Sequence, residues 1–141
     1  MTKQNLQTEL IVLCDYATVS REGKLSINGI FDEIRVQKFP GGIPRAFFVT
    51  TISGTPNTNY KLNLKLENKS SGTTINTTNI ETTTSPNGRS NLLIELLGLA
   101  FNEEGDYTFK IYHENKAVGS TLLKVNQASE IINPLKYKLP N

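Results

Sequence analysis

The sequence predicts an all-β fold, two antiparallel sheets packed face to face, and three features carry that prediction. Apolar and polar residues alternate in short runs, most cleanly at Tyr60, Leu62, Leu64 and Leu66, with Lys61, Asn63 and Lys65 between them. Turn-forming clusters separate those runs at residues 20–24, 39–44, 54–57, 68–72 and 85–88. The stretch from Phe101 to Val125 reads as a closing hairpin. Gly105 opens it, Tyr107, Phe109 and Ile111 share one face, and Thr108 and Lys110 share the other. A tight connection at Asn115 and Lys116 returns the chain into a strand ending at Leu123 and Val125. Seven to nine strands are expected, and no segment longer than two turns has helical periodicity.

Residues 1–8 are polar and read as a flexible N-terminal arm. Residues 9–19 form a strand whose run Leu10 to Cys14 is apolar on both faces, so it is covered on both sides or changes sheet at Asp15. Gly23 supplies the backbone freedom for the next turn. Leu25, Ile27, Gly29 and Phe31 alternate with Ser26, Asn28 and Ile30, and Ile34 and Val36 extend the pattern. Gly29 within that run marks a bulge or a close backbone approach. Phe39 to Pro44 breaks the chain, and Gly41 and Gly42 read as a crossing between sheets. A strand over residues 46–52 follows, centred on Phe47, Phe48 and Val49.

Thr73 to Thr84 is threonine-rich, with Ile75 and Ile80 as its large apolar groups, and reads as an edge strand whose polar side chains guard unpaired backbone. Leu92 to Phe101 is apolar enough for a central strand, interrupted by Gly98. Residues 127–141 form a C-terminal tail, with a short helix expected over residues 128–132 and limits set by Pro134 and Pro140. Its apolar residues Ile131, Ile132, Leu135, Tyr137 and Leu139 are too many for a solvated tail, and suit docking on the domain or on a partner.

The 141 residues suit one domain, with the sandwich over residues 9–126. A chain of this size buries roughly 68–70% of its unfolded surface, enough to hold a core without staples. Fifteen basic and thirteen acidic residues leave a net charge of +2, which argues against a dedicated nucleic-acid binder. Cys14 is the single cysteine, so no internal disulfide forms, and the reducing cytoplasm is the expected compartment. No signal peptide is legible in Met1 to Glu9, and the apolar runs are too short to cross a bilayer as helices.

Tyr107 follows Gly105 by two residues at the start of a late strand, with Glu103 four positions upstream. This pattern resembles the tyrosine corner of immunoglobulin-like sandwiches, in which the hydroxyl bonds a backbone group a few residues back. The antibody combination of two cysteines and a tryptophan is absent. The strand bearing Leu13-Cys14-Asp15, joined to Gly23-Lys24-Leu25 and on to Gly29-Ile30-Phe31-Asp32, resembles the opening hairpin of an uncharacterised prokaryotic family of small all-β proteins. Pro40, Gly105, Tyr107 and the final hairpin share the likeness, which spans most of residues 9–126. The resemblance implies a compact cytosolic sandwich and no site residues.

Chemistry-bearing residues are few. His113 is the single histidine, so a multi-histidine metal site is excluded by count unless subunits share one, and beside Glu114 it reads as a strand-end polar residue. Cys14 lies among Val12, Leu13 and Asp15 and reads as a buried structural thiol. Asp15 is expected to accept backbone hydrogen bonds where the strand bends, with Arg21 or Lys24 as partners. Glu103, Glu104 and Asp106 share one loop and Asp32 and Glu33 another, without the spacing of a calcium loop. Tyr60 and Tyr112, beside Lys65 and Lys110, are expected nearest the surface, too isolated for a single-stranded nucleic-acid groove.

These observations point to a non-enzymatic cytoplasmic binding or interaction module, with no catalytic residue, cofactor or metal assigned. A protein partner is expected through the C-terminal tail or an edge strand, with no nucleic acid and no membrane. The alternative is a structural subunit of a larger assembly, such as a phage or secretion particle. Oligomeric state is left open by the sequence.

Overall fold

A computed structural model describes residues 6–128. Nine strands run in order among them: β1 (Gln7–Val19), β2 (Leu25–Phe31), β3 (Glu33–Val36), β4 (Gly41–Ser53), β5 (Asn59–Asn68), β6 (Thr74–Thr83), β7 (Arg89–Phe101), β8 (Gly105–His113) and β9 (Lys116–Gln127). They form a four-stranded sheet in the order β2-β1-β4-β7 and a five-stranded sheet in the order β3-β9-β8-β5-β6. All pairings are antiparallel except β3 with β9. The placement of β4 and β7 in one sheet and β5, β8 and β9 in the other is that of an immunoglobulin-like sandwich.

The core lies between the sheets. Tyr60, Leu62, Leu64 and Leu66 of β5 and Tyr107, Phe109 and Ile111 of β8 meet Leu13 and Phe48 of the other sheet. The Phe48 and Phe109 rings stack at 6.0 Å. The Tyr107 hydroxyl donates to the Glu103 carbonyl at 2.8 Å, which closes the expected tyrosine corner. Such a bond contributes about 1 kcal/mol and fixes where the chain passes from β7 to β8.

β1 is covered on both sides, as its two apolar faces require. Leu13 enters the main core, and Cys14 joins a second cluster with Ala17, Phe47 and Val49. The arm is shorter than expected: Leu6 is buried in the main core, and Gln7 and Thr8 belong to β1. The Thr8 hydroxyl donates to the Val118 carbonyl at 2.8 Å, tying one sheet to the other. Residues 1–5 of the arm, and the tail beyond Ala128 with most of its expected helix, lie outside the described residues.

Four further expectations are corrected. Ile34 and Val36 do not continue β2; they form β3 in the other sheet, parallel to β9. The apolar phase shifts at Asp32 and Glu33 from odd positions (Leu25, Ile27, Phe31) to even ones (Ile34, Val36), where the chain crosses to the other sheet. Gly41 and Gly42 lie inside β4, paired with Phe101 and Ala100, and the crossing falls just before them. A Cβ on Gly42 would overlap the Leu99 carbonyl oxygen, so the glycine serves close pairing of β4 with β7. The closing turn is Glu114 and Asn115, both at positive φ, with His113 paired to Lys116. Finally, β7 is not a central strand but the edge of the four-stranded sheet.

Candidate functional site

An edge strand exposes a row of backbone donors and acceptors, and folded proteins usually guard that row with polar or charged side chains. β6 follows the rule. It forms the outer edge of the five-stranded sheet, and its side chains are mostly exposed threonines and asparagines. β7 does not follow it. Leu92, Leu93, Ile94, Leu96 and Leu99 are only half-buried, and Leu97 is 71% exposed. Among the described residues β7 pairs on one side only, with β4.

The two edges lie on the same side of the sandwich. Near the Ser85–Gly88 turn they are joined by a hydrogen bond between the Thr82 and Ser90 hydroxyls at 2.6 Å. Farther along they part, leaving a cleft of two adjoining cavities of about 320 Å³ and about 210 Å³ that share Ile75 and Ala100. Leu66 supplies the floor, Leu96 and Leu99 one wall and Ile75, 46% exposed, the other. Phe101, Glu103 and Tyr107 close the lower end.

Gly98 shapes the β7 wall. Leu96 and Leu99 both pack on the main core although they are three positions apart, which strict alternation forbids. Leu97 points outward in phase with Leu93 and Glu95, and Gly98, at φ of 64°, breaks the alternation so that Leu99 returns to the inner face. Among the described residues the cleft is lined by two acids, Glu95 and Glu103, and by no base. Glu95 pairs with Arg45, whereas Glu103 has no ion-pair partner among the described residues. The arrangement offers unpaired backbone, apolar side chains in a concave setting and a modest negative charge. Those are the elements that receive an extended peptide as an added strand.

The residues weighed from sequence are scattered rather than gathered. Cys14 is fully buried, its thiol donating to the Tyr16 carbonyl at 3.5 Å, and burial raises its pKa above the ordinary thiol value. Asp15 is exposed and packs across Gly29, whose missing Cβ makes room for it; no ion pair joins it to Arg21 or Lys24 among the described residues. His113 meets the Tyr60 ring edge-on at 5.3 Å and lies 3.8 Å from Glu114. Tyr60 is not near the surface: it is buried, and its hydroxyl accepts from the Thr55 amide at 2.8 Å.

Tyr112 does sit on the outer face of the five-stranded sheet, with Lys65 over its ring at 4.7 Å. Its hydroxyl donates to Glu67 at 2.9 Å, and Lys110 lies 3.2 Å from the same carboxylate. That hydrogen bond, then burial, raises the Tyr112 pKa. The acidic loops make local bonds: Glu104 accepts from the Gln127 amide, and Glu33 from the Asn126 side chain. Among the described residues no three of His, Cys, Asp and Glu come together to hold a metal ion.

Sequence reasoning missed Leu97 as a surface residue because an apolar run reads as buried wherever it falls. The available signal was Gly98, which interrupts the run where the alternation breaks.

Solved structures similar to this chain agree on architecture. An alkylpurine DNA glycosylase from Pseudomonas fluorescens, bound to DNA with an abasic site analogue, is 10% identical over 86% of this chain, with a TM-score of 0.52. A GH3 beta-glucosidase from Bifidobacterium adolescentis is 7% identical over 87% of it, with a TM-score of 0.51. The chain spans 30% of the glycosylase and 17% of the glucosidase, and the likeness is one of fold alone. An immunoglobulin-like protein from Pseudomonas aeruginosa is 10% identical over 86% of this chain and 97% of its own length, with a TM-score of 0.43. No curated protein matches the chain in sequence. The model of a family of unknown function, DUF6941, matches residues 9–126, and the chain therefore belongs to that family.

Proposed function

We propose that the domain is a non-enzymatic binding module of the cytoplasm that receives an extended protein segment in the cleft between β6 and β7. One observation carries the reading: β7 is an edge strand with the side chains of an interior strand, and Leu97 and Ile75 stand exposed at the mouth of the cleft. Main-chain pairing along β7 supplies affinity, and alternate side chains entering the cleft supply selection. The acids at its margin favour a segment with basic residues between apolar ones. The single, buried thiol supports the compartment. Among the described residues no helix is long and apolar enough to cross a membrane.

The test is a titration with a synthetic peptide that alternates leucine with lysine, against a scrambled peptide of the same composition. Each is added to the full chain and to the chain with Leu135→Asp, Tyr137→Asp and Leu139→Asp, so that its own apolar tail residues do not compete. The alternating peptide is expected to saturate and to shift the amide resonances of β7. The Ile75→Lys variant, which adds a positive charge to the wall, is expected to weaken it. Failure of both chains to bind, or shifts confined to another face, would overturn the reading.

A second reading rests on a different surface. Tyr16, 47% exposed, and Ile30, 63% exposed, project from the outer face of the four-stranded sheet. That face suits packing between copies in a larger assembly, such as a phage or secretion particle. Sedimentation across a concentration range separates the two, since a monomer at high micromolar concentration removes the assembly.

A further inference from the structure

We propose that residues 135–139 of this chain are a ligand of its own cleft, adding a fifth strand to the four-stranded sheet along β7. The inference rests on the binding-module reading and names its occupant.

The segment Leu135-Lys136-Tyr137-Lys138-Leu139 alternates without exception, and Pro134 and Pro140 bracket it. Alternation puts Leu135, Tyr137 and Leu139 on one face and both lysines on the other. Proline is tolerated at the start of a strand and stops it beyond the end, so the brackets confine a strand to these five residues. The segment carries bases and no acid, while among the described residues the cleft is lined by Glu103 and by Glu95, the latter paired with Arg45, and by no base.

The path of the chain favours the same site. The Gln127 amide donates to Glu104 at 2.6 Å, and Asn102 and Glu103, just before Glu104, line the lower end of the cleft. The Ala128 amide donates to the Val36 carbonyl at 2.8 Å, on the far side of the five-stranded sheet from β6. Four strand spacings separate β3 from β6, or about 19 Å. The six residues 129–134 span about 20 Å when extended, enough to cross beneath the sandwich.

A segment entering at the lower end runs opposite to β7, which descends from Arg89 to Phe101. The pairing is therefore antiparallel. Its apolar face meets Leu66, Ile75 and Leu96, and its lysines lie on the outer face beside Glu95.

Hydrogen exchange read by mass spectrometry tests the proposal on the full chain and on the variant Leu135→Asp/Tyr137→Asp/Leu139→Asp. The amides of β7 from Leu92 to Phe101 are expected to exchange about tenfold faster in the variant, with those of β5 unchanged. The alternating peptide is expected to bind the variant about tenfold more tightly, because the competing tethered segment is gone. Equal β7 exchange in both chains overturns the proposal. So does protection that vanishes on dilution, which would place the segment on a second copy. If the triple variant fails to fold, Lys136→Glu/Lys138→Glu replaces it: faster exchange confined to β7 supports the proposal, and unchanged exchange refutes it. Peptide bound equally by both chains refutes occupancy by the tail and leaves the binding module standing. Peptide bound by neither refutes the binding module itself.

Discussion

β6 and β7 are both edge strands on one side of the same sandwich, yet they are built to opposite rules. β6 carries threonine and asparagine at nearly every position, and its contribution to the main core comes through Ile80. β7 carries leucine and isoleucine at six of its thirteen positions, and its only fully buried side chain is Phe101. A guarded edge repels added strands, whereas an apolar one attracts them. The contrast teaches that composition reports what a strand is able to pack against, while its position in the sheet decides whether that capacity is filled from within. In β5, Leu62, Leu64 and Leu66 meet the opposite sheet and are nearly fully buried. In β7 similar side chains are left at the lip of a cleft.

The most severe way to break the contrast is to detach β7 from its one partner. Gly42→Ala sets a methyl group against the Leu99 carbonyl, within the paired stretch of β4 and β7. We expect a loss of roughly 3 kcal/mol in chemical denaturation, with β7 exchanging before the rest of the four-stranded sheet. A loss below about 0.5 kcal/mol would mean that the strands separate there at little cost.

A milder change acts at the lower end of the cleft. Tyr107→Phe removes the hydroxyl that holds the Glu103 carbonyl and keeps the ring that packs on Phe101 at 4.6 Å. The expected cost is about 1 kcal/mol, read as a lower midpoint with an unchanged denaturant slope. An unchanged midpoint would show that the corner is held by packing alone.

The smallest effect sharpens the contrast instead of breaking it. Leu97→Thr gives β7 the kind of side chain that β6 carries. Because Leu97 is exposed, stability should stay within about 0.5 kcal/mol, while affinity for the alternating peptide falls. A large destabilisation would mean that Leu97 is packed in the folded protein and is not part of an open binding edge.

Much of the architecture was legible in the chain. The alternation in β5 and β8 places Leu62, Leu64, Leu66, Tyr107, Phe109 and Ile111 in the core, and the structure buries them all, together with Tyr60, which was expected near the surface. Gly105 and Tyr107, with Glu103, announced the corner because its geometry is local and spans five residues only. The thin edge at β6 was legible because threonine-rich strands suit solvent. The cleft was not legible. It depends on which strand lies beside β7, and no local pattern states that among the described residues β7 pairs with β4 alone. Leu6 escaped notice for a related reason: one leucine among polar residues shows no period, and only the contact with the main core reveals its role.

The sequence by itself determined the layers, since period-two alternation and frequent turn residues leave face-to-face sheets as the way to bury the apolar sides. It also determined the closing hairpin, the corner tyrosine and the burial of Cys14. Tertiary structure decided the rest: that β3 joins β9 in parallel, that Gly41 and Gly42 belong to β4, and that β7 ends a sheet instead of lying within it. Those outcomes turn on contacts between residues distant in the chain. Strand order is set by the collective packing of both sheets, whereas the period of a strand is set by its own side chains.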